Sequence, residues 1–483
     1  MVNKFNSNYF IIIAISFSLF FGVLLRVYNL NYENLWFDEM VSFWVSDPFI
    51  SFNETYTRHR NAEGSPFLFN FLMKFLYKIF GYQTYMGRYF SVTFGILSII
   101  SVTYLSSLLK KNNAYLLVIF LVSFNVFLIK YSQEARLYAF AFFTTSLAAI
   151  FLLKSFQSHK TGKNLFLNTF LYIFFQTIAF LGHPFVLIFF FSLVAYYFFY
   201  YLKFRKNLIF LNYSILIILI LLGIYLPIYV GESIQYPHTW LEHPSLKFIT
   251  NFYFSTFFGS RLLGLIHLFL LIGLIVSFRK KIINELNFVT ILIIFIFLSY
   301  FTPLLYGLLY KPIIHSRYII FVLIPIIVVL SYLIFEIKNK YIKNTILSIL
   351  FLLTFGNQFT ESNFKQFYED RPRYKADYFN PLKKINDSDH KNYFVNHSLY
   401  QEEKFWSDVF QNYLNIFIKE NNFNINQLNL SELKSKIGYV WILCPKDLIE
   451  KECEKIRTEN IFEFKVIEDV EFNSLNLKLI KLG

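Results

Sequence analysis

The chain has 483 residues, of which 56% are hydrophobic and 16% charged, and its mean hydropathy is +0.46. Soluble globular proteins carry about 25% charged residues, so this composition excludes an ordinary soluble domain. The net charge of +14 belongs to residues 1–357, which hold 27 Lys+Arg against 11 Asp+Glu, whereas 358–483 hold 18 against 20; because the excess is dispersed over short segments between apolar runs, it suits membrane lipid and topology rather than nucleic acid.

In chain order, the first apolar run, Tyr9–Leu25, is longer than the ~7–15-residue core of a secretory signal and lacks a small-residue cleavage site. It reads as an uncleaved first span. Runs long enough to cross a bilayer predict about eleven spans, near 9–28, 88–109, 114–130, 135–154, 164–182, 184–203, 208–230, 261–278, 287–309, 317–336 and 341–357. With a cytoplasmic N-terminus, the inner loops contain Lys110-Lys111, Lys154/Lys160/Lys163, Lys203/Arg205/Lys206, Arg279-Lys280-Lys281 and Lys338/Lys340/Lys343. Every inner loop after the first span is therefore basic, as the positive-inside rule requires, and the tail falls outside. Nine of the eleven acidic residues in 1–357 also fall outside, six of them in the first external loop, 29–87. Within that loop Pro66–Phe80 is apolar but short and carries Lys74 and Lys78, the pattern of an interfacial helix.

From about 358 the pattern changes. Tyr393–Asn396, Gly438–Cys444 and Leu475–Ile480 read as strands, and Gln401–Glu420 and Lys446–Glu459 as amphipathic helices. These predict an extracytoplasmic α/β domain over 358–483 behind a membrane domain over 1–357. Cys444 and Cys453 make no disulfide framework in a chain of this size, and two buried thiols are the plainer reading.

Three groups carry chemistry. Trp36-Phe37-Asp38-Glu39 stands just beyond the first span; a carboxylate at the mouth of a bundle suits a general base, and of two adjacent carboxylates at most one acts directly. Tyr131–Tyr138 holds Glu134 and Arg136 in a very short turn near the membrane plane, where a guanidinium suits bidentate phosphate binding. His183, Lys311, His315 and Arg317 fall on the same side. A carboxylate that activates an acceptor, together with cations that stabilise a leaving phosphate, fits transfer from a lipid-linked phosphate. The bland reading of each group is a solvated acidic loop, a snorkelling charge or a structural side chain. No P-loop, GxGxxG, HExxH or CxxC pattern appears, so nucleotide-driven pumping and zinc chemistry have no support. The spans are nearly devoid of buried charge apart from Arg26, near the outer end of the first span, and that absence counts against ion-coupled transport.

Leu25-Arg26, Leu35-Trp36-Phe37-Asp38-Glu39, Ser65-Pro66-Phe67-Leu68, Gly87-Arg88-Tyr89-Phe90-Ser91 and Tyr131-Ser132-Gln133-Glu134-Ala135-Arg136-Leu137-Tyr138 resemble, in order and spacing, blocks of the protein O-mannosyltransferase/aminoarabinose-transferase-like superfamily. These are family-39-like membrane glycosyltransferases of the C-type fold. His315-Ser316-Arg317-Tyr318 is similar to a further block, while Gly64-Ser65-Pro66 stands where members show His-Pro-Pro. The resemblance implies an all-α polytopic bundle in a plasma (inner) membrane, bacterial in type, with the small α/β domain outside. It implies inverting transfer of a sugar from a polyprenyl-phosphate donor to a glycolipid, polysaccharide or protein acceptor. Asp38, with Glu39 beside it, matches the catalytic carboxylate, and Arg136 and Glu134 match the turn facing the donor phosphate. Arg317, His315 and Lys311 join them as candidate phosphate contacts, and Trp36, Arg88, His183 and Tyr138 as candidate substrate contacts. No residue spacing demands a divalent metal, although the first-loop carboxylates could bind one. The competing reading is a polymerase, ligase or flippase of surface glycan assembly; a scaffold presenting the tail is the third.

Overall fold

A computed structural model describes residues 2–111, 113–233, 241–360, 375–390, 393–396, 404–428, 438–445 and 464–482. The chain forms two compact units: Met1–Tyr28, Tyr56–Leu72 and Arg88–Phe364 make the first, and Asn29–Thr55, Met73–Gly87 and Lys365–Gly483 the second. The first loop thus contributes segments to both units.

The first unit is helical. Helix α1 (Val2–Val27) is followed, through the first-loop helices α2 (Phe37–Val45), α3 (Phe52–Ala62) and α4 (Leu68–Phe80), by α5 (Met86–Leu108). Next come α6 (Ala114–Phe124) and α7 (Val126–Ser132), bent by 54° at Asn125. No proline makes this bend. Asn125 is extended, its side-chain oxygen accepts the Leu128 N–H at 2.9 Å, and its amide donates to the Phe257 carbonyl at 3.0 Å. One residue therefore ends one helix and caps the next. Helix α8 (Tyr138–Thr161) closes on Gly162, whose left-handed φ of +71° glycine adopts without a Cβ clash. Then follow α9 (Leu165–Gly182), a 3-10 turn Pro184–Val186 leading into α10 (Leu187–Phe204), and α11 (Ile209–Ser233). Short helices α12 (Leu246–Asn251) and α13 (Phe254–Phe258) precede α14 (Arg261–Ser277), which bends by 62° into α15 (Arg279–Glu285). Helix α16 (Phe288–Leu309), a 3-10 turn Ser316–Val322 with α17 (Leu323–Ile334), and α18 (Lys340–Gln358) complete the unit.

Among the described residues eight helices have the length and apolarity to span a membrane, and up to ten if each bent pair counts as one span. The expected eleventh, 341–357, is helical as α18, but Lys340, Lys343 and Asn344 at its start and Asn357 and Gln358 at its end leave it less apolar than the others. Burial ranks the spans: 83% of the Ser316–Ile334 window and 72% of the α8 window are buried, against 22% for the α1 span and 28% for Ile209–Ile228. The first two are central and the last two present apolar faces outward, as lipid-facing helices do. Small residues allow close approach: a Cβ on Gly264 would lie 2.5 Å from the backbone of Phe254–Ser255, and Ser101 bonds Ser146 across helices at 2.5 Å.

Three of the expected inner loops meet at one end. Glu336, just past α17, accepts from Lys111 at 2.7 Å and from Lys281 at 2.9 Å. Burial pushes this carboxyl up, but the two lysines outweigh it and hold it below the usual carboxylate range.

In the second unit, β1 (Tyr393–Asn396), β2 (Asn426–Leu428), β3 (Gly438–Pro445), β4 (Phe464–Phe472) and β5 (Leu475–Leu482) form a sheet in the order β2-β1-β3-β5-β4. Strand β1 is parallel to β2 and β3, while β5 is antiparallel to β3 and β4. Val440, Ile442, Cys444, Ile480 and Leu482 build its core. Helices α19 (Phe379–Asp387) and α20 (Lys404–Glu420) accompany it. The three expected strands and the helix ending at Glu420 are present; the helix expected over Lys446–Glu459 lies outside the described residues. The expectation of two thiols is corrected: Cys444 is disulfide-bonded, and the chain contains one other cysteine, Cys453, outside the described residues.

Candidate active site

The ionisable residues at the other end of the first unit are positioned by helix starts. His183 and His315 are both extended and both cap 3-10 turns: the His183 Nδ1 accepts the Phe185 N–H at 3.2 Å, and the His315 Nδ1 accepts the Arg317 N–H at 3.3 Å. With Nδ1 accepting, the proton of a neutral ring sits on Nε2. Burial, reinforced by Arg136 and Arg317, lowers His183 to about 3; burial, Arg317 and Lys130 lower His315 to about 4. Both rings are therefore uncharged at neutral pH. They offer an Nε2–H to an anion rather than a positive charge, which refines their reading as part of a cationic group.

Tyr318 links these side chains. Its ring lies 5.9 Å from His183 and 5.7 Å from His315, and the Arg317 guanidinium sits over it at 5.5 Å. Tyr138, buried at the start of α8, lies 6.2 Å from His183 and 5.0 Å from Tyr131. Arg136 forms a two-pronged ion pair with Glu63: Nη1 to Oε1 is 2.5 Å and Nη2 to Oε2 is 3.1 Å. Both side chains are nearly buried, so the fork is a low-dielectric pair in which each charge needs the other. Ser91 near the start of α5 donates to the Arg136 carbonyl at 3.3 Å, and the Gln133 amide donates to the Leu25 and Arg26 carbonyls at 3.0 and 3.4 Å. The turn is thus tied to α5 and to the end of α1. Arg26, fully buried, donates to the carbonyls of Gly22, Val122 and Ser123 at 2.9, 3.0 and 3.1 Å. The Val122 and Ser123 carbonyls lie in the last turn of α6, where a helix end leaves carbonyls without helical partners. Glu134 and Arg88 are buried, and Lys311 is exposed.

Asp38 and Glu39 belong to the second unit, and the structure separates their situations. Both stand in the first turn of α2, where the helix dipole favours carboxylates. Glu39 is fully buried, accepts the Trp36 N–H at 3.3 Å and pairs with Lys375 at 2.8 Å. Lys375 also lies over the Trp36 ring at 5.9 Å. Asp38 is partly exposed. Of the two, Asp38 has the surface to meet a substrate, and Glu39 is committed to holding the turn.

Sequence reasoning missed Glu63, Lys130, Tyr318 and Lys375 as members of these groups. Tyr318 closes the quoted block His315-Ser316-Arg317-Tyr318 without having been given a role; Glu63 and Lys375 pair with residues 73 and 336 positions away, which no local pattern reports. His59 was also missed. It is buried, its Nε2 lies 2.8 Å from the Ser65 carbonyl, and the Asn70 amide contacts its Nδ1 at 3.1 Å. It therefore braces the Gly64-Ser65-Pro66 turn. Among the described residues no three His, Cys, Asp or Glu side chains converge as a metal site.

No protein-family model and no curated protein matches the sequence. The fold does match solved structures. ArnT from Cupriavidus metallidurans in the apo state has a TM-score of 0.58 and 9% identity, with 98% of each chain covered. The archaeal oligosaccharyltransferase AglB from Archaeoglobus fulgidus, in complex with an inhibitory peptide and a dolichol-phosphate, has a TM-score of 0.50 and 12% identity over 93% of this chain and 70% of that one. At such identities the likeness speaks for architecture alone, and that architecture agrees with the one implied by the motifs of the first loop and the Arg136 turn: this chain has the C-type glycosyltransferase fold shared by ArnT and AglB.

Proposed function

We propose that the chain is an inverting glycosyltransferase that moves a sugar from a polyprenyl-phosphate donor to a hydroxyl acceptor in cell-envelope glycan synthesis. The observation that carries this reading is the division of labour in the first turn of α2, with Glu39 buried and paired while Asp38 is partly exposed. In the proposed step the Asp38 carboxylate takes the acceptor hydroxyl proton as the acceptor oxygen attacks the anomeric carbon. The bond from that carbon to the phosphate oxygen breaks on the opposite face, and polyprenyl phosphate leaves with the electron pair. Arg136, Arg317 and Lys311 supply positive charge to the phosphate, neutral His315 supplies an N–H, and Glu134 orients the turn. Trp36, Arg88, His183 and Tyr138 are the candidate substrate contacts to test alongside them. The fork between Arg136 and Glu63 gives phosphate a route in, because a bidentate anion can replace the carboxylate on the same two N–H groups.

The placement we infer is a plasma membrane with the N-terminus and the Lys111–Glu336–Lys281 end cytoplasmic. The disulfide at Cys444 supports an oxidising compartment for the tail. Glycolipid, polysaccharide precursor and protein hydroxyls are the acceptor classes to screen. A second reading, transfer of a whole oligosaccharide, is favoured by the likeness to AglB; the fuller two-way coverage of ArnT favours a single sugar.

The test is label transfer by purified protein from polyprenyl-monophosphate and polyprenyl-diphosphate sugars side by side. Transfer from the monophosphate, lost in Asp38→Asn, supports the proposal. Transfer from the diphosphate alone, or an Asp38→Asn variant as active as the parent, overturns it.

A further inference from the structure

The second unit contains a run of contacts that starts in the sheet and finishes on the turn bearing Asp38. Asn473, between β4 and β5, donates its amide to the Lys375 carbonyl at 2.9 Å, and its own carbonyl accepts the Asp377 N–H at 3.1 Å. Asp377 in turn caps the start of α19, accepting the Phe379 and Asn380 N–H groups at 3.2 and 3.3 Å. One residue further, the Tyr378 N–H donates to the Asn34 side chain at 3.0 Å. The backbone from Lys375 to Tyr378 is thus held in place, and the Lys375 ammonium reaches Glu39 at 2.8 Å. A second set of ties runs in parallel: Phe37 lies 5.9 Å from Phe410 of α20, Asn412 donates to the Tyr82 hydroxyl at 2.7 Å, and that hydroxyl donates to the Phe43 carbonyl of α2 at 3.0 Å.

We propose that Lys375 is a positioning residue for the transfer, acting through Glu39 to fix the orientation of Asp38. Glu39 has no solvent exposure, so losing the Lys375 ammonium raises the cost of an ionised carboxylate there and favours its movement or protonation. Either response loosens the reach-back bond to the Trp36 N–H that closes the first turn of α2. Asp38 is the neighbour of Glu39 in that turn, so movement of one redirects the other. The α/β tail then serves as the mount of the reacting carboxylate. This rests on Asp38 being the base.

The experiment compares full-length purified Lys375→Met, Lys375→Arg, the double variant Glu39→Gln/Lys375→Met, and Asp38→Asn by steady-state kinetics and thermal unfolding. Lys375→Met is expected to lose about tenfold to a hundredfold in kcat, the usual penalty for a misplaced reacting group, with little change in either KM. Lys375→Arg retains most of the rate. The double variant recovers much of the loss, because it removes the buried carboxylate together with the ammonium and its side-chain amide oxygen still accepts from the Trp36 N–H. Amide exchange across Phe37–Val45 is expected to quicken in Lys375→Met and return in the double variant. A lower melting temperature with parental kcat in Lys375→Met would make the pair merely stabilising and overturn the proposal. Should the single variant fail to fold, the double decides: a rate near the parent supports positioning, and an inactive folded protein overturns it. If Asp38→Asn keeps parental activity, the reading of the base fails instead. If Asp38→Asn is inactive while Lys375→Met is normal, positioning alone fails.

Discussion

Helix α17 and the 3-10 turn before it join two regions that treat charge in opposite ways. Just past its end, Glu336 is ionised and shared between two lysines that solvent still reaches. Before its start, two histidines are held neutral by burial and by nearby guanidinium groups, and Arg136 is closed onto Glu63 away from water. A solvated salt link of the first kind joins loops at modest gain. An enclosed group of the second kind keeps hydrogen-bond donors and a displaceable carboxylate in a low dielectric, where an entering phosphate would be felt most strongly. The contrast separates an end whose ion pairs hold loops together from the end to which we assign the donor phosphate.

The largest effect should come from the enclosed fork. Arg136→Met removes the two-pronged bond to the nearly buried Glu63 carboxylate, and a loss of about 3–5 kcal/mol is expected. It would be read as a lowered unfolding midpoint of the purified protein, largely restored by adding Glu63→Gln. A midpoint within a degree of the parent would break the comparison.

Next come the histidines, through pH. Their folded pKa values lie below the ordinary value of about 6.5, so between about pH 4 and 6.5 the unfolded chain binds more protons than the folded one. Their stability contribution is therefore complete above about 6.5 and declines as the pH falls toward 4, on the order of 1.4 kcal/mol per pH unit for each ring. His183→Asn keeps a capping oxygen but cannot titrate. Its stability should fall less steeply over this window than the parent's, and identical slopes would show that His183 does not titrate as described. The smallest effect belongs to the other end. Glu336→Gln should cost about 1 kcal/mol or less and leave the rate of transfer unchanged, and a large loss of rate would dissolve the functional distinction between the ends.

Much of the architecture was legible because lipid imposes a one-dimensional code. Long apolar runs must be helices, and the basic loops between them declare which ends lie together; Lys111, Lys281 and Glu336, read as inner from sequence, do meet. The candidate residues Asp38, Glu39, Glu134, Arg136, His315 and Arg317 were all named from local patterns. The bends at Asn125 and between α14 and α15 were not, since capping at Asn125 depends on Phe257, a partner no local window contains. Nor was the neutrality of His183, which follows from burial and two distant arginines.

What the amino-acid order determined alone is therefore what short-range physics can carry: the apolar lengths, the charge asymmetry, the strand patterns of the tail and the chemistry-bearing blocks. Tertiary structure decided which of two adjacent carboxylates is enclosed, that Lys375 serves Glu39, that Glu63 closes on Arg136, and that the first loop contributes to both units. Each depends on the burial of a charge beside a partner far along the chain, and burial is a property of the packed molecule rather than of any segment of it.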